Sequence, residues 1–523
     1  MVLLCALVGL CCLPPLGWML WQVMAHARLV AQGAASTAMA GVLGRTLGYN
    51  LAAAALACLL AVPAAVVIGR GRGWLAGAIL WISPLSLLFP SVVNTYGWNR
   101  ALDLLAVRPA PGTAGDALRC IWAMATWLWA LPALAGGLAL RRMDSQEQLQ
   151  AMLDGALWRI TLRRLVGPMA AALAVVFVLA GQEFAVYEPT GISVVATEMR
   201  TIFQAGVVGG DWTVIAGISA QAQSSSDQAQ RAAAAFGAAL PLLILVMALA
   251  GGGVVLGRRF SEHPEIASGR WPSVLDAPAW TRWIGALLVS LSVVAPLAAM
   301  VASLKRPLEP ARVLSTFWPH LAGSLSVGLA VGLVVALVGL VACLRPSRLL
   351  AGLSLAVFLC GGLLLGIATI RLYNRPALAP LYDGPSAIVM AQVARLAWLG
   401  LLVGAAAWAA PIRALREMAA ADGAGPWQAA VHVVWPLAWP ALAGVGVLAM
   451  VLTVTEVPTT VLLGPMRPPM LILPLMTWVH MQRSDDMIEG SLLLVAAVVV
   501  LGIALMILLR LGGRTLRAVR GPL

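Results

Sequence analysis

Apolar runs of about 20 residues, separated by short turns that carry arginine, glycine or proline, recur along the whole chain. At a rise of about 1.5 Å per residue such a run crosses a hydrocarbon layer of about 30 Å, so the pattern predicts membrane-spanning helices. The alternation of a barrel strand is absent. Twelve spans are expected, at 1–24, 46–69, 74–98, 119–140, 166–186, 232–256, 282–303, 321–344, 349–372, 395–411, 432–455 and 489–510. The fold class is therefore an all-α polytopic membrane protein with about twelve transmembrane helices.

Gly257 to Arg282 is the one polar stretch long enough to divide the chain. Cutting there exposes a repeat. Pro15-Leu16 returns as Pro296-Leu297, Arg70 as Arg348, Asn99-Arg100 as Asn374-Arg375, Asp154-Gly155 as Asp422-Gly423 and Pro168 as Pro436, with an offset that drifts from 281 to 268. The expected organisation is a six-helix repeat at 1–256, a cytoplasmic linker at 257–281 and a second six-helix repeat at 282–523. An even number of spans per half makes the repeats parallel, related by an axis along the membrane normal, with a pathway between them.

Composition agrees with lipid as the main solvent: 61% of residues are hydrophobic, 11% are charged and the mean hydropathy is +0.92. The net charge of +13 is spread singly or in pairs between apolar segments, which argues for loop topology rather than a nucleic-acid surface. One set of loops, from Arg70 and Arg72 to Arg517 and Arg520, holds 19 basic and 8 acidic residues; the other, with Arg119 and Arg395 placed at span edges, holds 15 and 13. The arginine-rich side is expected to be cytoplasmic, with both termini there. The seven cysteines (Cys5, Cys11, Cys12, Cys58, Cys120, Cys343, Cys360) lie in or beside apolar segments without metal-ligand spacing and read as small hydrophobes. Met1 to Met24 lacks a basic leader and a cleavage site and reads as a retained helix.

Between the tenth and eleventh spans stands Glu417-Met418-Ala419-Ala420-Ala421-Asp422-Gly423, followed after nine residues by Val433-Val434-Trp435-Pro436. The first half repeats the spacing as Leu149-Gln150-Ala151-Met152-Leu153-Asp154-Gly155, nine residues, then Leu165-Val166-Gly167-Pro168. Helix-favouring residues, a glycine where the chain turns and a proline near the start of the next span describe a short helical peg projecting from the membrane. The pattern resembles the EAA loop of binding-protein-dependent ABC importer permeases. Glu417, Ala419, Gly423 and Pro436 match in register, Met418 replaces an alanine, and the first half keeps the register without the glutamate.

The resemblance implies that these pegs, through Asp154, Gly155, Pro168, Glu417, Ala419, Asp422, Gly423 and Pro436, couple to a separate cytoplasmic ATPase, two copies for two pegs. ATP and magnesium would then sit on that partner, and an extracytoplasmic solute-binding protein would deliver cargo at a plasma (inner) membrane. The chain itself has no P-loop, since its one lysine, Lys305, lies in Ala-Ser-Leu-Lys-Arg-Pro, and it shows no catalytic constellation, so it is expected to be a transport subunit and not an enzyme, binding no cofactor, metal or nucleic acid. The fused two-repeat form is most like ferric-iron permeases; thiamine and other small-solute permeases share it, and a secondary transporter of the major-facilitator type is the competing class.

Candidates for the pathway are Glu183 and Glu456, near the ends of the fifth and eleventh spans, and Glu188, because ionisable groups at membrane depth are costly and often functional. Interfacial carboxylates paired with Arg200 or Arg467 are the plain alternative. The offset at Pro168 and Pro436 would match Glu456 to Glu188 rather than to Glu183. The polar stretch Gln221 to Gln230 has no counterpart in the second half and reads as an extracytoplasmic insertion.

Overall fold

The computed structural model describes residues 2–520 except positions 36, 108, 111, 144, 206, 209–212, 215–224, 262–275, 410, 466 and 482. Most of the expected linker and the start of the polar insertion therefore lie outside the described residues. Regular structure is helical apart from a two-residue antiparallel ladder, Val207–Val208 against Thr213–Val214.

The principal helices of the first half are α1 (Val2–Ala25), α2 (Thr37–Arg70), α3 (Gly73–Leu88), α4 (Ser91–Leu104), α5 (Ala114–Arg141), α6 (Ser145–Leu153), α7 (Leu157–Gly181), α8 (Val195–Ala205) and α9 (Ser225–Ser261). Those of the second half are α10 (Ala279–Ala302), α11 (Pro310–Leu344), α12 (Arg348–Leu359), α13 (Gly362–Tyr373), α14 (Ser386–Ala409), α15 (Pro411–Ala421), α16 (Trp427–Val454), α17 (Ile472–His480) and α18 (Ser484–Arg520). A further nine-residue helix, Ala27–Ala35, stands between α1 and α2, and no helix is described in the corresponding place between α10 and α11. Ten helices are long and apolar enough to cross a membrane, and twelve crossings result if each bent pair is one span. The chain is an all-α polytopic membrane protein.

The bent pairs are the third span of each half. The chain turns by 100° between α3 and α4 and by 101° between α12 and α13. Pro84 and Pro90, which lack an N–H, bracket the first break; Gly361, at φ +81°, makes the second. Each pair carries the chain across rather than back. In the second half Val335 lies against Gly400 and Cys343 against Gly404, so α11 and α14 run in the same direction and the segment between them must return to the starting side. The expected continuous spans at 74–98 and 349–372 are thus broken ones, and the fifth ends at Gly181 rather than at 186.

Helices in lipid gain nothing from hiding apolar surface from each other, so close packing depends on small residues. In α2 the contact face is Ala53, Ala54, Ala57, Ala61, Ala64 and Ala65, all fully buried. In α11 it is Gly328, Gly332 and Gly339. Gly332 meets Gly446 of α16 so closely that a Cβ on it would stand 2.5 Å from the Gly446 carbonyl oxygen. The first helix of each half docks on the other half: α1 lies against α11 to α14, and α10 against α2 to α4, where Pro296 fills the space a side chain at Gly97 would need.

The arginine-rich loops gather at one end. There Asp276, just before α10, pairs with Arg282 and accepts the Arg72 amide hydrogen bond at 3.1 Å. Burial raises the Asp276 carboxyl, but hydrogen bonds from Arg282 and from the Ala277 and Arg72 amides outweigh it and hold the group below the usual range. Trp74, Trp158, Trp280, Trp283, Trp427, Trp435 and Trp439 are exposed at this end, as expected of a headgroup belt. At the opposite end Arg306 and Arg312 close on the fully buried Glu489 at 3.0 and 2.5 Å.

Gly332→Leu should cost about 1–3 kcal/mol by overpacking the α11–α16 crossing, whereas Gly352→Leu, where a Cβ meets nothing within 4 Å, should be near neutral. Thermal unfolding of both variants in detergent checks this, and equal midpoints would contradict the packing.

Candidate functional site

Two places bring together the residues singled out by sequence: a pair of pegs at the arginine-rich end, and a buried charge cluster beside the broken spans.

The pegs are α6 and α15. On α15 the stripe Ile412, Leu415, Arg416 and Ala419 faces the protein, and Arg413, Glu417, Met418, Ala420 and Asp422 face outward. On α6, Gln148 and Ala151 face inward and Met152, Leu153 and Asp154 outward. Both helices stop in the same way. The Ala156 amide donates to the Ala151 carbonyl at 2.8 Å and that of Gly155 to Met152 at 3.1 Å; Ala424 donates to Ala419 at 2.9 Å and Gly423 to Ala420 at 3.1 Å. This is the Schellman cap, which needs a left-handed residue, supplied by Gly155 at φ +63° and Gly423 at φ +84°. A Cβ at either glycine meets no atom within 4 Å, so conformation and not close approach requires glycine there.

Arginines bind the carboxyl ends of both long second spans, one from the peg α15 and one from the last residue of α5. Arg416 donates to the Leu344 carbonyl at 3.2 Å, and Arg141 to the Ile68 carbonyl at 2.8 Å. The buried Arg70 adds a 2.6 Å bond to Thr161 of α7. Glu417 pairs only with Arg413 on its own helix, at 2.9 Å, an exposed contact worth about 0.3–0.5 kcal/mol. It anchors nothing else. Glu147 instead binds Arg164 of α7 through both oxygens, at 2.8 and 2.9 Å. Pro168 and Pro436 lie well inside α7 and α16 rather than near their starts, because the nine-residue segment after each glycine is already helical. Before Trp435-Pro436 the helix widens into a π-type turn, Ala430–Val434, which has no counterpart before Pro168.

The charge cluster brings two of the three candidate carboxylates together. Glu183 follows Gln182, the cap of α7, and Glu456 follows Thr455, the cap of α16. Both therefore stand one residue beyond the cap of a spanning helix. Each receives the amide of a residue two or three places on: Ala185 to Glu183 at 2.9 Å, Thr459 to Glu456 at 3.3 Å. Each also sits at the first residue of the helix that follows a break, where the helix dipole favours negative charge. Glu183 is hydrogen-bonded to Ser91 of α4. Glu456 and its ion-pair partner Arg395 occupy the space a side chain at Gly362 of α13 would take, Glu456 Oε1 standing 2.5 Å from that Cβ position.

Arg395 is a correction to the sequence reading. It is not a span-edge residue but lies inside α14, its side chain 12% exposed against 11% for Glu456. Glu183, from the other half, interacts with the charges of both. Glu188 is separate: it pairs with Arg200, with His480 Nε2 at 3.7 Å, in the turn after α7. A lone arginine in the apolar stretch 386–409 was the available signal for the cluster. Among the described residues no group of three or more histidines, cysteines or carboxylates could hold a metal ion. No protein-family model, curated protein or solved structure matches the chain.

Removing Arg395 alone leaves a buried carboxylate without its counter-charge, which costs about 3–5 kcal/mol. Arg395→Gln should therefore lower the unfolding midpoint sharply, and Arg395→Gln with Glu456→Gln should recover most of the loss. A double variant no better than the single one would contradict the pairing.

Proposed function

We propose that this chain is the membrane permease subunit of an ATP-binding-cassette importer, an internally duplicated protein whose α6 and α15 are the coupling helices. The observation that carries the reading is the pair of pegs: corresponding places along the chain, the same glycine-dependent cap, outward faces left unused by the fold and, on α15, an arginine tie to the end of α11. A partner that pushes on α15 moves α11 through Arg416, and one that pushes on α6 moves α7 through the Glu147–Arg164 pair. The arginine-rich end then faces the cytoplasm, with both termini, and the opposite end faces the solute-binding protein. Hydrolysis belongs to a separate ATPase, since the one lysine, Lys305, lies at the opposite end, its amide on Asp485 at 3.3 Å. Ferric iron is the cargo that the fused two-repeat form favours.

The cap gives the test. A leucine at position 423 is strained by about 1–2 kcal/mol in a left-handed conformation, while asparagine tolerates it. Gly423→Leu should reduce both ATPase co-purification and ATP-dependent uptake at equal membrane levels, Gly423→Asn should keep both, and Gly155→Leu should lose less, because the first peg lacks the glutamate. Full activity in Gly423→Leu would sink the coupling assignment.

A further inference from the structure

We propose that Glu183, beside the self-paired Arg395 and Glu456, forms a site between the two halves that takes a positively charged group and excludes anions; the proposal rests on the reading of the halves as the walls of a transport pathway. The cluster holds two carboxylates and one guanidinium. Arg395 and Glu456 satisfy each other within the second half, and the equivalent carboxylate of the first half has no arginine of its own. In the first half Trp127 lies on the helix that matches α14, and its indole N–H donates to the Phe89 carbonyl at 3.0 Å at the break. The Arg395–Glu456 pair is neutral, so an ionised Glu183 leaves one negative charge in excess.

The surroundings of Glu183 are built for a polar guest that is not part of this chain. Tyr187, 1% exposed, interacts electrostatically with Glu183, and its hydroxyl has no hydrogen-bond partner. Asn50 of α2, also 1% exposed, leaves both its amide oxygen and nitrogen unpaired, and its Nδ2 stands 3.3 Å from the Cβ position of Gly181, two residues before Glu183. The Gln182 Oε1 is likewise buried and unpaired. Buried polar groups are ordinarily satisfied, and the unpaired Asn50 Oδ1, Gln182 Oε1 and Tyr187 hydroxyl, beside Glu183 or the end of its helix, leave acceptors for a ligand's donors. An ammonium group or a hydrated metal ion supplies positive charge and donors together.

An anion is disfavoured for a specific reason. The amino-terminal ends of α4 and α13, which would otherwise attract one, are already faced by Glu183 and Glu456.

The experiment uses the full chain in detergent and needs neither ATPase nor binding protein, so its failure leaves the coupling assignment untouched. Thermal unfolding is followed with spermidine, with manganese(II) and with sulfate at matched ionic strength. At least one of the two cations should raise the midpoint by about 2 °C or more, spermidine indicating an organic ammonium cargo and manganese a metal ion. Sulfate should not. Glu183→Gln should abolish the shift, and Glu183→Asp should keep it. The neutral pair Arg395→Gln with Glu456→Gln leaves the excess charge on Glu183 and should also retain it, which keeps the test valid if Glu183→Gln fails to fold. No shift with either cation, an equal shift with sulfate, or loss of the shift in the neutral pair would overturn the proposal.

Discussion

A helix broken inside an apolar layer frees backbone groups and exposes dipole ends that no water is present to satisfy. This chain breaks its third span in each half, and much of its central architecture follows from the answer it finds. A carboxylate from the end of α7 or α16 is placed against the first residue of α4 or α13. That placement fixes where the fifth and eleventh spans end, why a glycine stands at 362, and why an arginine is embedded in α14.

The same pairs of helices carry the mechanical argument. Peg and long span are joined directly in the second half, through Arg416 to α11; in the first, Glu147 ties α6 to α7, and Arg141 ties the end of α5 to α2. Alanine and glycine faces hold those long spans tightly to their neighbours, so a displacement at the peg is not absorbed locally. The exchanged first helices, α1 on the second half and α10 on the first, mean that neither half moves without the other. The charge cluster lies where the halves meet, which is where relative movement of the two is felt.

Much of this was legible in the sequence, for identifiable reasons. Spans follow from runs of apolar residues, and the peg positions from the spacing of Gly155 and Gly423 to Pro168 and Pro436. Less local features were not. The break at Cys360-Gly361 is hidden because both flanking segments are apolar and helix-favouring, so hydropathy reads one span. The partnership of Glu183 with Glu456 was obscured because the offset at the prolines, 268, changes by the ends of the same helices, α16 running further beyond Pro436 than α7 does beyond Pro168. Arg395 was placed at a span edge because its charge marked the start of the tenth span; its partner is 61 residues away, and only tertiary packing places them together. The Arg70 match also shifts, since Arg70 ends α2 while Arg348 begins α12 and Arg345 caps α11.

The central claim is that this chain transmits the work of a separate ATPase. Purification of the intact chain from its native membrane under mild detergent, with identification and counting of the subunits that remain bound, tests it most directly. The account predicts an ATPase bearing a P-loop, in two copies per chain, one for each peg. A chain that isolates alone and drives uptake with a proton gradient in the absence of ATP would contradict it.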